Sequence, residues 1–291
     1  MALINHIPFG LRIEDQQYVD VADVPKGRQC GCICPSCHIP LIARQGKANR
    51  WHFAHASRNI DESTKECAYS FFVSVRTMAK QLLELGMPVV LPEWRDALIE
   101  KRHGEVFIEE YQITRANEVE LQNVQKEYAF EGNVVDIYGE IGGYAFVIYF
   151  THPERSLPFG LEQPQQQRCG ILEIRLDETL LLFSNKNTVG IKFIDELKKF
   201  IQFDTKAKNW VYHARRDEAC RKAQESLDTK IANFRPSKRY SNQRRQYNNM
   251  QHSYSRRNHK CVICQHEWSS FDNEKRICPV CGSGHLYIRA L

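Results

Sequence analysis

Cys34 and Cys37 flank a Pro-Ser pair, and fourteen residues later His52 and His55 flank Phe-Ala. Thiolates and imidazoles in close pairs are the donors a tetrahedral zinc ion takes. Four protein donors fill the tetrahedron, so C-x2-C-x14-H-x2-H predicts a structural centre rather than a catalytic one. Cys30 and Cys32 stand near enough in sequence to compete for a place in that set. A second pattern, C-x2-C-x13-C-x2-C, joins Cys261, Cys264, Cys278 and Cys281. Only a few tens of residues surround it, too few to fold without a metal. His266 and His285 lie close by, but four thiolates already suffice. Cys67, Cys169 and Cys220 are scattered singles and are expected to be small buried hydrophobes.

These pairs need elements to hold them. Downstream of His55, apolar residues recur at 68, 71, 72, 75, 78, 79, 82 and 83, the spacing of a helix. Asp61 or Ser63 is placed to cap its start and Gly86 its end. Over 105–150 the period changes to two. "EVFIEEYQI" alternates, "VELQNV" is short and strand-like, and "NVVDIYGEIGGYAFVIYF" reads as a hairpin turned at "GEIGG". A Pro/Gln-rich loop follows, then the strand "GILEIRL" and a helix in "TVGIKFIDELKKFIQF". From about 206 the spacing predicts one long charged helix. Residues 235–258 then lack Leu, Ile, Val, Phe and any acid, and are expected to form a disordered linker.

The chain has 291 residues, 42% of them hydrophobic, enough for a real core. Its longest apolar run, "YAFVIYF", is far too short for a bilayer, and "MALINHIPFG" lacks the pattern of a signal peptide. A cytoplasmic protein without membrane contact is expected. There, eleven cysteines point to metal ligands and buried thiols, not disulfides. Net charge is +5, but residues 206–260 hold fifteen Lys/Arg against four Asp/Glu. That segment carries +11, the remainder −6, and the asymmetry suggests a polyanion partner. Arg215, Arg216, Arg239, Arg244, Arg245, Arg256 and Arg257 are the expected phosphate contacts, with tyrosines available to stack on bases.

"CPSCHIPLIARQGKANRWHFAH" resembles the amino-terminal segment of the competence protein CoiA family. The shared features are Cys34, Cys37, the stretch from Pro40 to Gly46, and the tetrad His52-Phe53-Ala54-His55, then a helix. The resemblance, strongest in its first third, runs over about residues 30–205. It implies a nuclease-like domain of the PD-(D/E)XK class: a restriction-endonuclease-like mixed sheet flanked by helices. Its chemistry rests on an Asp ending one strand and a Glu-x-Lys on the next, around Mg²⁺ or Mn²⁺. Asp136 stands where that Asp is expected, but Val147 and Tyr149 occupy the Glu-x-Lys positions. Thr151, His152 and Glu173 match further family positions. Either the fold has lost catalysis and kept nucleic-acid contact, or the site has migrated. A migrated site would use Asp136, Glu173 and Arg175, with Glu131, Glu140, His152, Glu154 and Arg168 within its compass.

The expected fold class is therefore α/β, with zinc-binding modules at both ends. Residues 1–60 form the first module, 61–205 the nuclease-like domain, 206–259 a basic helix and linker, and 260–291 a zinc ribbon. The expected function is nucleic-acid binding, DNA ahead of RNA, in bacterial DNA processing, uptake or defence. The alternatives are an active metal-dependent nuclease, and a scaffold that recruits a protein partner through the ribbon.

Overall fold

The apolar run that reads as one strand lies at the centre of a sheet, and that placement organises the chain. The computed structural model describes residues 6–47, 49–56, 70–102, 104–184, 191–235, 256–271, 277–281 and 288–290. It divides into two units, Met1–Ala232 and Asn233–Leu291. In the first, short strands β1 (Phe9–Arg12), β2 (Tyr18–Asp20) and β3 (Cys32–Ile33) form one antiparallel sheet, and β4 (Leu41–Arg44) pairs with β5 (His52–His55). Helix α1 (Ser70–Glu84) follows. Next come β6 (Val89–Leu91), β7 (Trp94–Arg102), β8 (Glu105–Thr114) and β9 (Asn117–Val119). Strands β10 (Gln122–Phe130), β11 (Asn133–Ile141), β12 (Tyr144–Thr151), β13 (Cys169–Arg175) and β14 (Lys208–His213) form a five-stranded mixed sheet in that order. Helices α2 (Thr179–Phe183) and α3 (Phe193–Phe203) lie between β13 and β14, and α4 (Arg216–Asn233) ends the unit.

Strand β12 pairs antiparallel with β11 and parallel with β13. Sheet neighbours on both sides and a core on both faces explain why it reads as unbroken apolar residues. Phe146, Ile148 and Phe150 face one core, shared with Phe72, Val75 and Met78 of α1 and Leu197, Phe200 and Ile201 of α3. Phe9, Leu41 and Phe53 of the amino-terminal strands belong to that same core. Val147 and Tyr149 face a second, smaller core with Leu161, Ile171 and Tyr212.

The hairpin predicted at "GEIGG" turns on Gly142 and Gly143, both at positive φ (58° and 79°), as a primed two-residue turn requires. Gly86 ends α1 at φ 83°, and the backbone bonds Gly86 N to Leu83 O and Met87 N to Leu82 O close the helix. The start expected at Asp61 or Ser63 lies outside the described residues, as does the linker over 236–255.

One expectation is corrected. Residues 208–213 are not helical but form β14, paired antiparallel with β13, so the sheet continues past residue 205. "NWVY" is aromatic and β-branched, and the free edge of β13 outweighs the helical spacing of the charges around it. The charged helix begins only at Arg216. A further pair, β7 with β8, forms a long ribbon from Trp94 to Thr114 whose first strand has no alternating pattern.

Strand β10 is an edge of the sheet and is sharply irregular. Asn123 and Glu127 within it, and Glu131 just beyond, take φ of 52°, 52° and 50°. In the second unit β15 (Arg256–Cys261) pairs with β16 (Glu267–Phe271) and β17 (Ile288–Ala290), giving a small antiparallel sheet.

Candidate metal centres and the Asp136 site

Each Cys-x-x-Cys pair that leads its pattern folds into the same knuckle. Cys34 N donates to Ile39 O and His38 N to Cys34 O, both at 2.9 Å. In the second unit Cys261 N donates to His266 O and Gln265 N to Cys261 O, again at 2.9 Å. The residue after the second cysteine turns left-handed in both, at φ 58° for His38 and 61° for Gln265. This turn points both sulfurs of a pair to the same side.

In the second unit Cys261, Cys264, Cys278 and Cys281 place their sulfurs within 4.8 Å of one another. The Cys261–Cys281 and Cys264–Cys278 separations are 3.6 and 3.5 Å. A tetrahedron with Zn–S bonds of about 2.3 Å has edges of about 3.8 Å, so the four thiols fit such an ion. Backbone N–H groups of the knuckle, led by that of Cys264, pull the Cys261 thiol pKa down, whereas the thiol of Cys264, crowded by its three neighbours, is pushed up to about 12.

In the first unit the cluster is Cys34, Cys37 and His55, with Cys37 Sγ 3.2 Å from His55 Nε2. His52 is not in this group, so three of the four donors of the expected Cys2His2 set come together. Both histidines lie on β5, three residues apart, and a strand turns positions i and i+3 to opposite faces. His52 instead stacks on His6 (3.9 Å between ring centres) and sets Nδ1 2.9 Å from Arg50 O. Cys30 and Cys32 do not compete either. Their thiols donate to Leu41 O and Cys30 O, and burial pushes the Cys32 pKa up to about 12. Both clusters could hold a metal ion, and their soft donors suit zinc.

Asp136 is fully buried on β11. Its Oδ1 accepts from Arg76 Nε of α1, and its Oδ2 from Phe150 N (2.7 Å) and Arg155 Nη1 (2.8 Å). A tight turn returns Arg155 to this spot, with His152 N to Arg155 O and Arg155 N to His152 O bonded. The Arg155 guanidinium also lies over the Tyr149 ring, 3.7 Å from its centre. Across from Asp136, between the pairs Lys126–Ile137 and Tyr128–Val135, Glu127 accepts from Lys80 and Arg76. The alternation of β11 slips at this point: Val135 belongs to one core and Ile137 to the other. His152 stacks flat on Phe72, and burial, with Arg155 and Arg76 adding to it, lowers its pKa to about 4.

The other expected site residues are held elsewhere. Glu173 accepts from Thr151 Oγ1 (2.7 Å) and Asn209 Nδ2 (3.1 Å), while Arg175 donates to Glu178 and to Lys206 O. Strand β12 separates Asp136 from Glu173, which puts their backbones two strand spacings, about 10 Å, apart. Glu131 accepts from Gln166 N, Glu140 from Asn123, and Arg168 lies over Tyr144. The Glu154 N–H points at His152 Nδ1, 3.4 Å away. Arg215 is exposed at the approach to α4 and Arg216 on its first turn, and Arg256 and Arg257 open β15. Arg239, Arg244 and Arg245 lie outside the described residues. Arg76, Lys80 and Arg155 were not anticipated. The available signal was two basic residues among the apolar positions of α1, beside a strand that buries an acid.

Three outcomes follow from this geometry. Metal analysis of the purified protein should find that His55→Ala loses one equivalent and His52→Ala none; equal losses would restore His52 as a ligand. Asp136→Ala leaves the Arg155 guanidinium without a carboxylate and Arg76 with Glu127 alone, and should lower unfolding stability by about 3–5 kcal/mol in urea titrations. His152 is held neutral by the fold, so its contribution to stability is complete above its unfolded pKa near 6.5 and is lost as pH falls from there toward 4. His152→Phe should therefore flatten the acid limb of the stability profile, and an unchanged slope would show that His152 does not act this way.

No curated protein and no solved structure matches the chain. Residues 18–68 match the family model for the competence protein CoiA, N-terminal domain, a span that contains Cys34, Cys37, His52 and His55. The amino-terminal part of this chain is thus CoiA-like.

Proposed function

We propose that this chain is a zinc-containing nucleic-acid-binding protein with a catalytically silent, nuclease-like core, acting in bacterial DNA processing or uptake. The observation that carries the silent core is that three donors, two of them guanidinium groups, already occupy Asp136. A nuclease of the expected class needs that carboxylate for a divalent ion. Here one oxygen is taken by Arg76, the other by Arg155 and Phe150 N, and the positive charge beside it belongs to the protein. Val147 and Tyr149, where an acid and a lysine would be needed, both face the second core. The CoiA-like segment, the antiparallel run β10–β12 beside a parallel β13, and helices on one face support a restriction-endonuclease-like assignment. Zinc in both Cys/His clusters is part of the same reading.

The basic balance of residues 206–260 supports binding to a polyanion, and DNA is the first candidate. A protein-recruiting role is favoured by a separate feature. Val262, Ile263, Ile277 and Val280 on and beside the ribbon's knuckles are all exposed, Ile263 to 60%.

The experiment is fluorescence anisotropy with labelled DNA and RNA, together with a cleavage assay in Mg²⁺ and Mn²⁺. Affinity should fall steeply with salt, and no strand should be cut. Divalent-dependent cutting by the purified chain would overturn the silent core, and recovery of protein partners with no affinity for any nucleic acid would select the scaffold.

A further inference from the structure

The ribbon β7–β8 and helix α4 leave an open groove of about 870 Å³ between them. We infer that this groove seats a single nucleic-acid strand, an inference that rests on the nucleic-acid-binding reading above. Strand β8 supplies Tyr111 and Gln112, the turn after it Arg115 and the start of β9 Asn117; Arg215, just before α4, and Lys222 on the helix line the other wall. On the helix the lining residues are Glu218, Ala219, Lys222 and Ala223, so a single face of its first turns lines the groove. Ala219 and Ala223 are small, and the space follows from their size.

The charge balance favours an anion. The two acids on the groove are engaged: Glu109 with Lys230, and Glu218 with Lys222 at 2.5 Å. Arg115 and Arg215 are exposed, and among the described residues neither is in a salt bridge. Two guanidinium groups on opposite walls can each take a phosphate. Gln112 donates to Glu93 and accepts from Arg115, steadying that guanidinium on the wall, while Asn117 offers an amide to base edges and Tyr111 a ring. At the same end Arg216 lies over the ring of Trp94, which stacks on Trp210. This is the combination by which single strands are held: a cationic track with aromatic surfaces. A volume of this size is that of a ligand cleft. It admits a few nucleotides of one strand, whereas a duplex could only lie across its mouth.

The test uses the full chain with a short fluorescein-labelled oligothymidylate and, separately, a labelled duplex. Arg115→Ala combined with Arg215→Ala should weaken single-strand binding about tenfold or more. It should also reduce the magnitude of the salt slope by about 1.4, two contacts at about 0.7 each. Ala219→Phe fills the groove without changing charge and should weaken the single strand while sparing the duplex. The charge control Lys198→Ala with Lys199→Ala, on exposed positions of α3, should change neither. Single-strand affinity that survives both groove variants would overturn the groove and leave nucleic-acid binding standing. Parallel losses for strand and duplex would also overturn it, since the arginines would then act as general surface charge. A wild-type chain that binds neither probe would overturn both readings.

Discussion

A carboxylate removed from water is tolerated in a protein interior only when its charge and its lone pairs are met. Asp136 has that environment, and much of the first unit is arranged by it. Arg76 ties α1 to the sheet, Arg155 ties down the turn that follows β12, and the Phe150 amide locks the strand between them. Lys80 and Glu127 extend the network to the edge strand. The same constraint bears on function. Three donors, two of them guanidinium groups, already occupy most of the lone pairs that a divalent cation would compete for.

The two candidate metal clusters illustrate how backbone period decides which donors can meet. Both knuckles rest on the same pair of backbone bonds and the same left-handed residue, so each is a local device that needs little from the rest of the fold. What completes the set differs. In the ribbon a second Cys-x-x-Cys pair supplies both remaining donors. In the first unit they would have to come from a strand, and a strand shows only one of two residues three apart to any given face. His55 faces the sulfurs, and His52 is left to stack on His6.

Much of the fold was legible in the sequence where local chemistry and burial agree. The Gly142-Gly143 turn, the stop at Gly86, the strand at "GILEIRL" and the α3 spacing all carry their own signal. Strand β14 was hidden because charged residues at helical spacing run on from it, and only the free edge of β13 makes "NWVY" a strand. Strand β7 was hidden because it is exposed on most of its length and shows no alternation. For the site, residue type found the cysteines, but orientation decided between His52 and His55. The partners of Asp136 come from residues 76 and 155, and no local pattern ties those positions to residue 136.

The irregular path of β10 also bears on solubility. An outermost strand leaves a row of amide and carbonyl groups without partners, a template on which another chain can grow a sheet. Asn123 and Glu127 break that row with left-handed residues, and Lys126 and Glu127 add charge to it. A newcomer strand would find no continuous stretch on which to align, so this margin resists the side-by-side stacking that leads to fibrils.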